Sequence, residues 1–130
     1  MTLGRPKRTQ FWGADLDDDH LVREVILGQK TATVCPADDY SKPSGDHDDG
    51  DMQVGDVVEV YDLRGILRCR IRVTEVYPVC FGDIPERLWW AECCKSAEHF
   101  QEVHRRCWPD CALDDNFELI ATHFELVRPA

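Results

Sequence analysis

Sulfur and imidazole side chains near the carboxyl-terminal end of the chain are the first residues whose types could bind a metal. They are Cys93, Cys94, His104, Cys107 and Cys111. Zinc knuckles need two pairs of ligands, each pair separated by two to four residues, and this sequence lacks two such pairs. A proline at 109 also interrupts the helical face that His104, Cys107 and Cys111 would share. We therefore predict that no metal or other cofactor is required.

The seven cysteines in 130 residues raise the question of disulfides. The first ten residues are not followed by the apolar segment and cleavage site of a secretory signal peptide. No apolar run approaches the roughly 20 residues that span a bilayer. We therefore predict a cytoplasmic protein without a membrane partner, in which the thiols stay reduced.

The net charge of −10 bears on the class of partner. A protein that binds long nucleic acid needs many lysines and arginines against the phosphates. A small nucleoside, a short RNA or a local basic patch remains compatible with an acidic chain. Arg68, Arg70 and Arg72 form such a stripe on one face of a predicted strand. We interpret it as a solvated face that pairs with acids such as Glu59, with a phosphate-binding groove as the alternative.

Tryptophan is the residue type most suited to stacking on a base. Trp89 and Trp90 are adjacent on a predicted helix, so one of them is expected to be exposed. Most of the four tryptophans are expected in the core. Trp12 is the one that we expect to stack on a substrate.

The elements that must position these residues follow from periodicity and from turn and capping signals. We predict a flexible basic arm at 1–10 and a single domain at 11–130. Within the domain we predict helices at 17–27, 83–92 and 96–107, strands at 30–35, 57–63, 67–74 and 117–127, and an acidic loop at about 36–52. Asp83 is the predicted cap of the second helix, and a bulge or strand end is expected near Thr74. This order favours a mixed α+β barrel over a parallel sheet.

Four segments in this order resemble the ASCH domain family. They are Gly-Gln-Lys-Thr-Ala-Thr at 28–33, Val-Gly-Asp-Val-Val at 54–58, Cys-Arg-Ile-Arg-Val-Thr-Glu-Val-Tyr-Pro-Val at 69–79 and Phe-Glu-Leu-Val at 124–127. The resemblance covers about residues 11–127. It implies a PUA-like mixed β-barrel of about five to six strands with about three flanking helices.

The resemblance also implies a function. One bacterial branch of the family hydrolyses N4-acetylcytidine to cytidine and acetate, and other members are ribonucleases or nucleic-acid-binding modules. The branch's lysine and threonine correspond to Lys30 and Thr33. Its glutamate corresponds to Glu92, in a stretch about two residues shorter here than in the family. If the register differs, Cys94 takes that position.

These residues suggest a mechanism of amide hydrolysis. Thr33 would be the nucleophile, Lys30 its base, and Glu92 the acid that also orients the lysine. Alternatively, a water attacks directly and Thr33 only positions it. Residues three apart on a regular strand point to opposite faces, so the chain must bend after Gly28. Otherwise Lys30 only complements a helix end and Thr33 is an ordinary strand residue.

Three functions therefore stay open. The first is hydrolysis of an N4-acylated cytidine, with Trp12, Tyr61 and Arg72 as substrate-binding residues. The second is an RNA-binding module with ribonuclease activity that uses the arginine stripe. The third is a protein-interaction domain whose acidic segment at 46–51 meets a basic partner.

Overall fold

The computed structural model describes residues 6–40 and 51–128, which form a five-stranded sheet and three α-helices. The strands are β1 (Lys7–Gln10), β2 (Ala32–Pro36), β3 (Val57–Tyr61), β4 (Leu67–Cys80) and β5 (Glu118–Val127). The helices are α1 (His20–Ile26), α2 (Glu86–Ala91) and α3 (Ala97–Cys107), and a 3-10 turn spans Ala37–Asp39. None of the helices in the described ranges has the length and apolar character needed to cross a membrane.

The strands lie in the order β1-β3-β4-β5-β2 in one curled sheet. β1 runs parallel to β3, and each of the other neighbouring pairs is antiparallel. The predicted α+β, PUA-like class is therefore confirmed. The long strands β4 and β5 are neighbours in the centre of this order, and each of them is at least ten residues long.

Strand β4 contains an irregularity in its pairing with β5. Ile71 and Val73 are buried, and the register with β5 then shifts between Val73 and Glu75. The expected irregularity near Thr74 is confirmed, but the strand continues to Cys80 rather than ending there. The extra residue changes which side chains face each side, so the sheet can curl around the helices.

Two apolar clusters stabilise the fold. One packs α1 against β3 and β4 and contains Val22, Val25, Val58, Val60, Ile71 and Phe124. The other packs α2 and α3 against β2 and β5 and contains Val34, Leu88, Phe100, Leu119 and Ala121. The segment between α1 and β2 and the end of α2 therefore lie where the two clusters approach each other.

The amino-terminal segment differs from the prediction. Lys7–Gln10 forms the edge strand β1 rather than part of a flexible arm. Thr9 is buried, and Lys7 Nζ donates a hydrogen bond to Asp56 Oδ2 at 2.6 Å. Polar strands that pair with a distant segment carry no alternating apolar signal, which is why the pattern missed β1. Residues 1–5 of the predicted arm lie outside the described residues.

Helix starts also differ from expectation. α1 begins at His20 rather than at 17, because Asp18 accepts hydrogen bonds from the backbone N–H groups of Ala14 and His20 and forms a turn. α2 begins at Glu86 after Pro85, so the predicted cap at Asp83 is wrong. Ser96 caps α3 as predicted, since its Oγ accepts from the backbone N–H of His99.

Both ends of the predicted acidic loop at 36–52 lie within the described residues. Pro36 ends β2, the 3-10 turn follows, and Met52 is only 2% exposed. Met52 packs in the α1 cluster, so this end of the loop contributes to the core. Residues 41–50, which include most of the acidic segment at 46–51, lie outside the described residues.

Candidate functional site

Lys30 lies in the junction between α1 and β2. Gly28 has a φ of +77°, a conformation that ends helices and that glycine adopts without steric cost. The backbone N–H groups of Gln29 and Lys30 then donate to Glu24 O, and that of Thr31 donates to Ala91 O at 2.8 Å. The chain therefore bends after Gly28, which the convergence of Lys30 and Thr33 requires.

The ammonium group of Lys30 is buried in an ion pair. Its Nζ donates hydrogen bonds to Ala32 O at 2.6 Å and to Glu92 Oε1 at 3.1 Å. The lysine and glutamate side chains are 2% and 7% exposed. Charged side chains are rarely buried to this degree unless they are paired. The structure thus brings together two of the residues that the family resemblance singled out.

Glu92 immediately follows α2, where a tight turn directs its side chain inward. Cys93 has a φ of +62°, and the backbone N–H of Cys94 donates to Trp89 O at 2.8 Å. Burial by itself would raise the pKa of Glu92. The charge of Lys30 and the contact with His104 outweigh burial and lower that pKa below its ordinary value. Glu92 is therefore ionised near neutral pH.

His104 is the third charged or titratable group of the site. Its Nε2 lies 3.7 Å from Glu92 Oε1, and its Nδ1 lies 2.7 Å from Phe100 O. In the sequence, His104 stood out only as a candidate zinc ligand. The available signal was a histidine on the apolar face of α3, between Phe100 and Cys107, where a buried polar ring needs partners.

These residues line a cavity of about 580 Å³ between the two clusters. Lys30, Thr33, Glu92 and Trp12 all contribute to its wall, so the structure unites four of the six predicted site residues. The wall also includes Phe11, Leu21, Asp39, Met52, Cys94, Val103, His104, Cys107, Trp108 and Thr122. Carboxylate, ammonium, hydroxyl and imidazole groups thus converge in a largely apolar and aromatic concavity.

The other two predicted site residues lie elsewhere. Tyr61 and Arg72 are absent from the cavity wall in the described part of the chain. The Tyr61 hydroxyl donates to Glu59 Oε1 at 2.8 Å, and Arg72 lies 3.4 Å from Glu125 Oε1. The predicted substrate-binding roles of Tyr61 and Arg72 therefore have no support in the described wall of this cavity. Alternation along a strand indicates that residues share a face but not what that face contacts.

The two carboxylate oxygens of Glu92 differ in their hydrogen bonding. Within residues 6–40 and 51–128, Oε2 of Glu92 is buried and has no hydrogen-bond partner. Buried polar atoms are nearly always hydrogen-bonded, so an exception at a cavity wall indicates a site for a ligand or water. An ionised carboxylate oxygen can accept a hydrogen bond or a proton from such a molecule.

Trp12 and Trp90 show how the tryptophans divide. Trp12 is 49% exposed at the cavity, where it contacts the His20 ring edge-to-face at 6.5 Å. Trp90 is 72% exposed, while Trp89 packs against the α2–α3 cluster. The expectation that one of the adjacent pair is exposed is confirmed. Trp12 and Trp108 supply two large aromatic surfaces to the cavity wall.

Each arginine of the stripe forms an ion pair with an aspartate or a glutamate. Arg68 pairs with Asp19 at 2.8 Å and with Asp62 at 3.3 Å. Arg70 pairs with Glu59 and Arg72 with Glu125, each at 3.4 Å. The interpretation of the stripe as a solvated, acid-paired strand face is confirmed.

All seven cysteines lie in the described residues, and none of them forms a disulfide. Burial raises the pKa of Cys94 to about 12 and that of Cys69 to about 11, so both are protonated at neutral pH. Among the residues that the structure covers, no three His, Cys, Asp or Glu side chains form a group suited to a metal ion. Apart from the cysteines, the ionisable side chains that the described residues contribute to the cavity wall are Lys30, Asp39, Glu92 and His104.

Comparison with known proteins supports the fold. A protein-family model described as an ASCH domain matches residues 8–128. Protein EF3133 from Enterococcus faecalis V583 is similar in structure, with a TM-score of 0.76, 20% identity, and coverage of 98% of this chain and 79% of that one. An ASCH domain from Lactobacillus crispatus JV V101 has a TM-score of 0.72 and 20% identity, with coverages of 92% and 79%.

A mutant of ZmASCH from Zymomonas mobilis is more distant. Its TM-score is 0.54 at 10% identity, and the match covers 95% of this chain and 73% of that one. No curated protein matched the chain. At these identities the structural likenesses establish the architecture alone.

Proposed function

This chain belongs to the ASCH domain family, and on that premise we propose that it is an amidohydrolase whose substrate is N4-acetylcytidine or a related N4-acylated cytidine. The reaction would need no metal. The observation that carries the proposal is the buried, ionised Glu92 on the cavity wall, with Oε1 held by Lys30 and a buried Oε2 that has no partner among the described residues. Such an oxygen is suited to take a proton from an attacking group.

The size and charge of the cavity support a nucleoside. A volume of about 580 Å³ lies within the range typical of sites for small molecules. Apart from His104, the charged residues of the wall are Lys30, Asp39 and Glu92, and Lys30 is already neutralised by Glu92. A phosphate would find no free cation among these groups, whereas a neutral nucleoside needs none. Trp12 and Trp108 offer faces on which a pyrimidine can stack.

The ion pair suggests how the roles divide. Lys30 Nζ donates to Ala32 O and to Glu92 Oε1, so it is placed as a hydrogen-bond donor rather than as a base. In this proposal Glu92 therefore accepts the proton of the attacking hydroxyl or water. Lys30 donates an N–H to the oxyanion that forms on the acyl carbonyl. The C–N bond then breaks, and Glu92 returns the proton to the leaving amine of cytidine. If water attacks, acetate is the other product. If Thr33 attacks, its acetyl ester is then hydrolysed by a water whose proton Glu92 accepts, and the proton returns to the Thr33 oxygen as acetate leaves.

Release of cytidine and acetate from N4-acetylcytidine by the purified protein is the direct test. We expect turnover by the wild type and a fall in kcat of about a hundredfold or more for Glu92→Gln, which keeps the shape but cannot accept the proton. Glu125→Gln, at an exposed glutamate, is the matched control and should keep wild-type kcat. Absence of turnover by the wild type, or undiminished turnover by Glu92→Gln, would reject the proposal.

Thr33→Val distinguishes the two attacking groups. If the Thr33 hydroxyl attacks, an acetyl-enzyme forms and the variant loses both turnover and the acetylated intermediate seen by mass spectrometry. If water attacks, the variant keeps a substantial part of kcat and no acetylated protein accumulates. Thr74→Val, at an exposed threonine of β4, controls for the loss of a hydroxyl.

Replacement of the arginine stripe tests the alternative that the protein is an RNA-binding module. It predicts salt-sensitive binding of RNA that is lost when Arg68, Arg70 and Arg72 are all replaced by alanine. Since each of these arginines is paired with a carboxylate, we expect weak binding that the triple variant leaves unchanged. Tight binding that the triple variant abolishes, together with no nucleoside turnover, would favour the alternative.

A further inference from the structure

We propose that His104 is a positioning residue for Glu92, which holds Oε1 together with Lys30 and leaves Oε2 alone to face the reacting atoms. This inference rests on the proposed function of Glu92. The geometry places two nitrogens on one carboxylate oxygen: Lys30 Nζ is 3.1 Å from Oε1, and His104 Nε2 is 3.7 Å from the same atom.

Hydrogen bonding determines which nitrogen of His104 carries a proton. Nδ1 lies 2.7 Å from Phe100 O, and a carbonyl oxygen can only accept, so Nδ1 is protonated. Nε2 then faces the ionised Glu92, and attraction at this position requires a proton on Nε2 as well. The ring thus offers an N–H to Oε1 from one side of the carboxylate, while Lys30 occupies another.

Packing prevents the ring from turning away. His104 stacks on Phe100 with centroids 4.0 Å apart, and Trp108 lies on it at 5.1 Å. The residue is 7% exposed on α3, whose first turn is capped by Ser96. A ring stacked on Phe100, in tilted contact with Trp108 and bound at Nδ1 is held in one orientation, so the direction of Nε2 is determined before any substrate binds.

The consequence for chemistry concerns Oε2. Because Lys30 and His104 both approach Oε1, the carboxylate is oriented and its second oxygen keeps its full capacity to accept a proton. Both neighbours also favour the ionised form, which keeps Glu92 competent as a base at lower pH. Loss of the His104 contact should therefore reduce the fraction of ionised Glu92 in acid and loosen its orientation.

The thiols and the phenol near Glu92 and His104 do not give rise to an acid limb. Burial raises the pKa of Cys93, Cys94 and Cys107, so these thiols remain neutral there. Tyr77 has a raised pKa, mainly through burial, and also stays neutral. Among the described residues, the other charged or titratable groups on neighbouring elements include Lys30, Glu24 on α1, Asp39 on the cavity wall and His123 on β5, whose pKa burial lowers.

Two substitutions separate positioning from packing. The amide of His104→Asn can replace Nδ1 and keep the contact with Phe100 O, but it cannot reach Glu92. The amide of His104→Gln can replace Nε2 and donate to Glu92. We expect His104→Asn to lower kcat more than it raises KM and to move the acid limb of kcat/KM to higher pH. Each unit of that movement corresponds to about a tenfold loss on the limb. His104→Gln should restore the limb toward the wild type.

A control on the same helix is His99→Asn, whose ring accepts from the backbone N–H of Lys95 and lies outside the cavity wall. It should leave the pH profile unchanged. Equal profiles for wild type, His104→Asn and His104→Gln would overturn the proposal. An equal loss in both variants at all pH values, with no shift of the limb, would also overturn it, because that result indicates a purely structural role.

The closing experiment does not require turnover. Titration of the Glu92 side-chain carboxyl by 13C NMR should give a higher pKa in His104→Asn than in the wild type and a lower one again in His104→Gln. In the wild type, long-range 1H–15N spectra should find Nδ1 of His104 protonated throughout the titration. An unchanged Glu92 titration, or a ring protonated at Nε2 alone, would overturn the positioning role even if the protein hydrolyses N4-acetylcytidine. Conversely, a shifted titration without turnover would reject the proposed function and retain the positioning of Glu92.

Discussion

Two ion pairs of the same chemistry occur in this protein in opposite environments. Lys30 and Glu92 meet at 3.1 Å with exposures of 2% and 7%. Arg72 and Glu125 meet at 3.4 Å on the outer face of the sheet, with exposures of 48% and 58%. In water a charge is solvated with or without a partner, whereas a buried charge depends on its partner entirely.

The difference in burial indicates that the two ion pairs have different roles. A buried ion pair is costly to desolvate, and apolar residues of equal volume often stabilise a fold as well or better. Its retention beside a cavity, with one carboxylate oxygen unpartnered in the described structure, therefore points to chemistry rather than to stability. The arginine stripe has no such cost and contributes a charged, soluble surface.

The largest effect should come from removing the buried cation. Lys30→Met leaves Glu92 buried without its main partner and should lower the free energy of unfolding by about 3–5 kcal/mol. Urea denaturation at neutral pH measures this loss. The exposed Lys95→Met is the matched control and should change stability by less than about 0.5 kcal/mol. A Lys30→Met variant as stable as this control would contradict the assigned burial of the pair.

The next largest difference between the two ion pairs should appear in how the free energy of unfolding depends on pH below neutrality. The folded-state pKa of Glu92 is lowered from its ordinary value of 4.5, so its ionised form stabilises the fold above that value. This contribution is lost as the pH falls through the lowered pKa. The stability difference between wild type and Glu92→Gln should therefore shrink as the pH falls below 4.5. The same difference for Glu125→Gln should stay nearly flat, and parallel curves for the two variants would contradict the comparison.

Arg68 lies between the two extremes. It is 27% exposed, and its Nη1 contacts both Asp19 and Asp62. Asp62 also accepts from the backbone N–H groups of Arg64 and Ile66 in the β3–β4 turn, so Arg68 helps to hold that turn. Thermal unfolding of Arg68→Ala should give a Tm above that of Lys30→Met and below that of Arg72→Ala. If Arg68→Ala had the same Tm as Arg72→Ala, the claim that Arg68 stabilises the fold more than Arg72 would be contradicted.

The smallest effect should come from the exposed pair. Arg72→Ala should change the free energy of unfolding by less than about 0.5 kcal/mol, because both partners are well solvated. Any loss should disappear in 1 M salt, where the Debye length falls to about 3 Å. A loss above about 1 kcal/mol that persists in salt would mean that burial does not separate the two kinds of pair.

The sequence was sufficient for much of the architecture where signals are local. The strands β3, β4 and β5 follow from alternation, the cap at Ser96 from its residue type, and the irregularity near Thr74 from a slip in the alternating pattern. The family's short motifs indicated Lys30, Thr33 and Glu92, and the structure places all three on one cavity. Their catalytic roles remain proposals.

Features that depend on distant contacts escaped prediction. β1 is a polar segment whose strand conformation comes from parallel pairing with β3, about 50 residues away along the chain. Tyr61 and Arg72 looked suitable by type, but the sheet turns them to surfaces outside the cavity. His104 gains its place beside Glu92 from the packing of α3 against α2 and the sheet, which no spacing in the sequence encodes.

By itself the sequence determined the family, the succession of most helices and strands, and which charged residues were candidates, since propensities, caps and motifs act over a few residues. Only the tertiary structure decided that Lys30 and Glu92 are buried as a pair, that His104 joins them, and that the three arginines meet acids at the surface. Burial sets the energy of a charge, and burial is a property of the packed chain rather than of any segment of it.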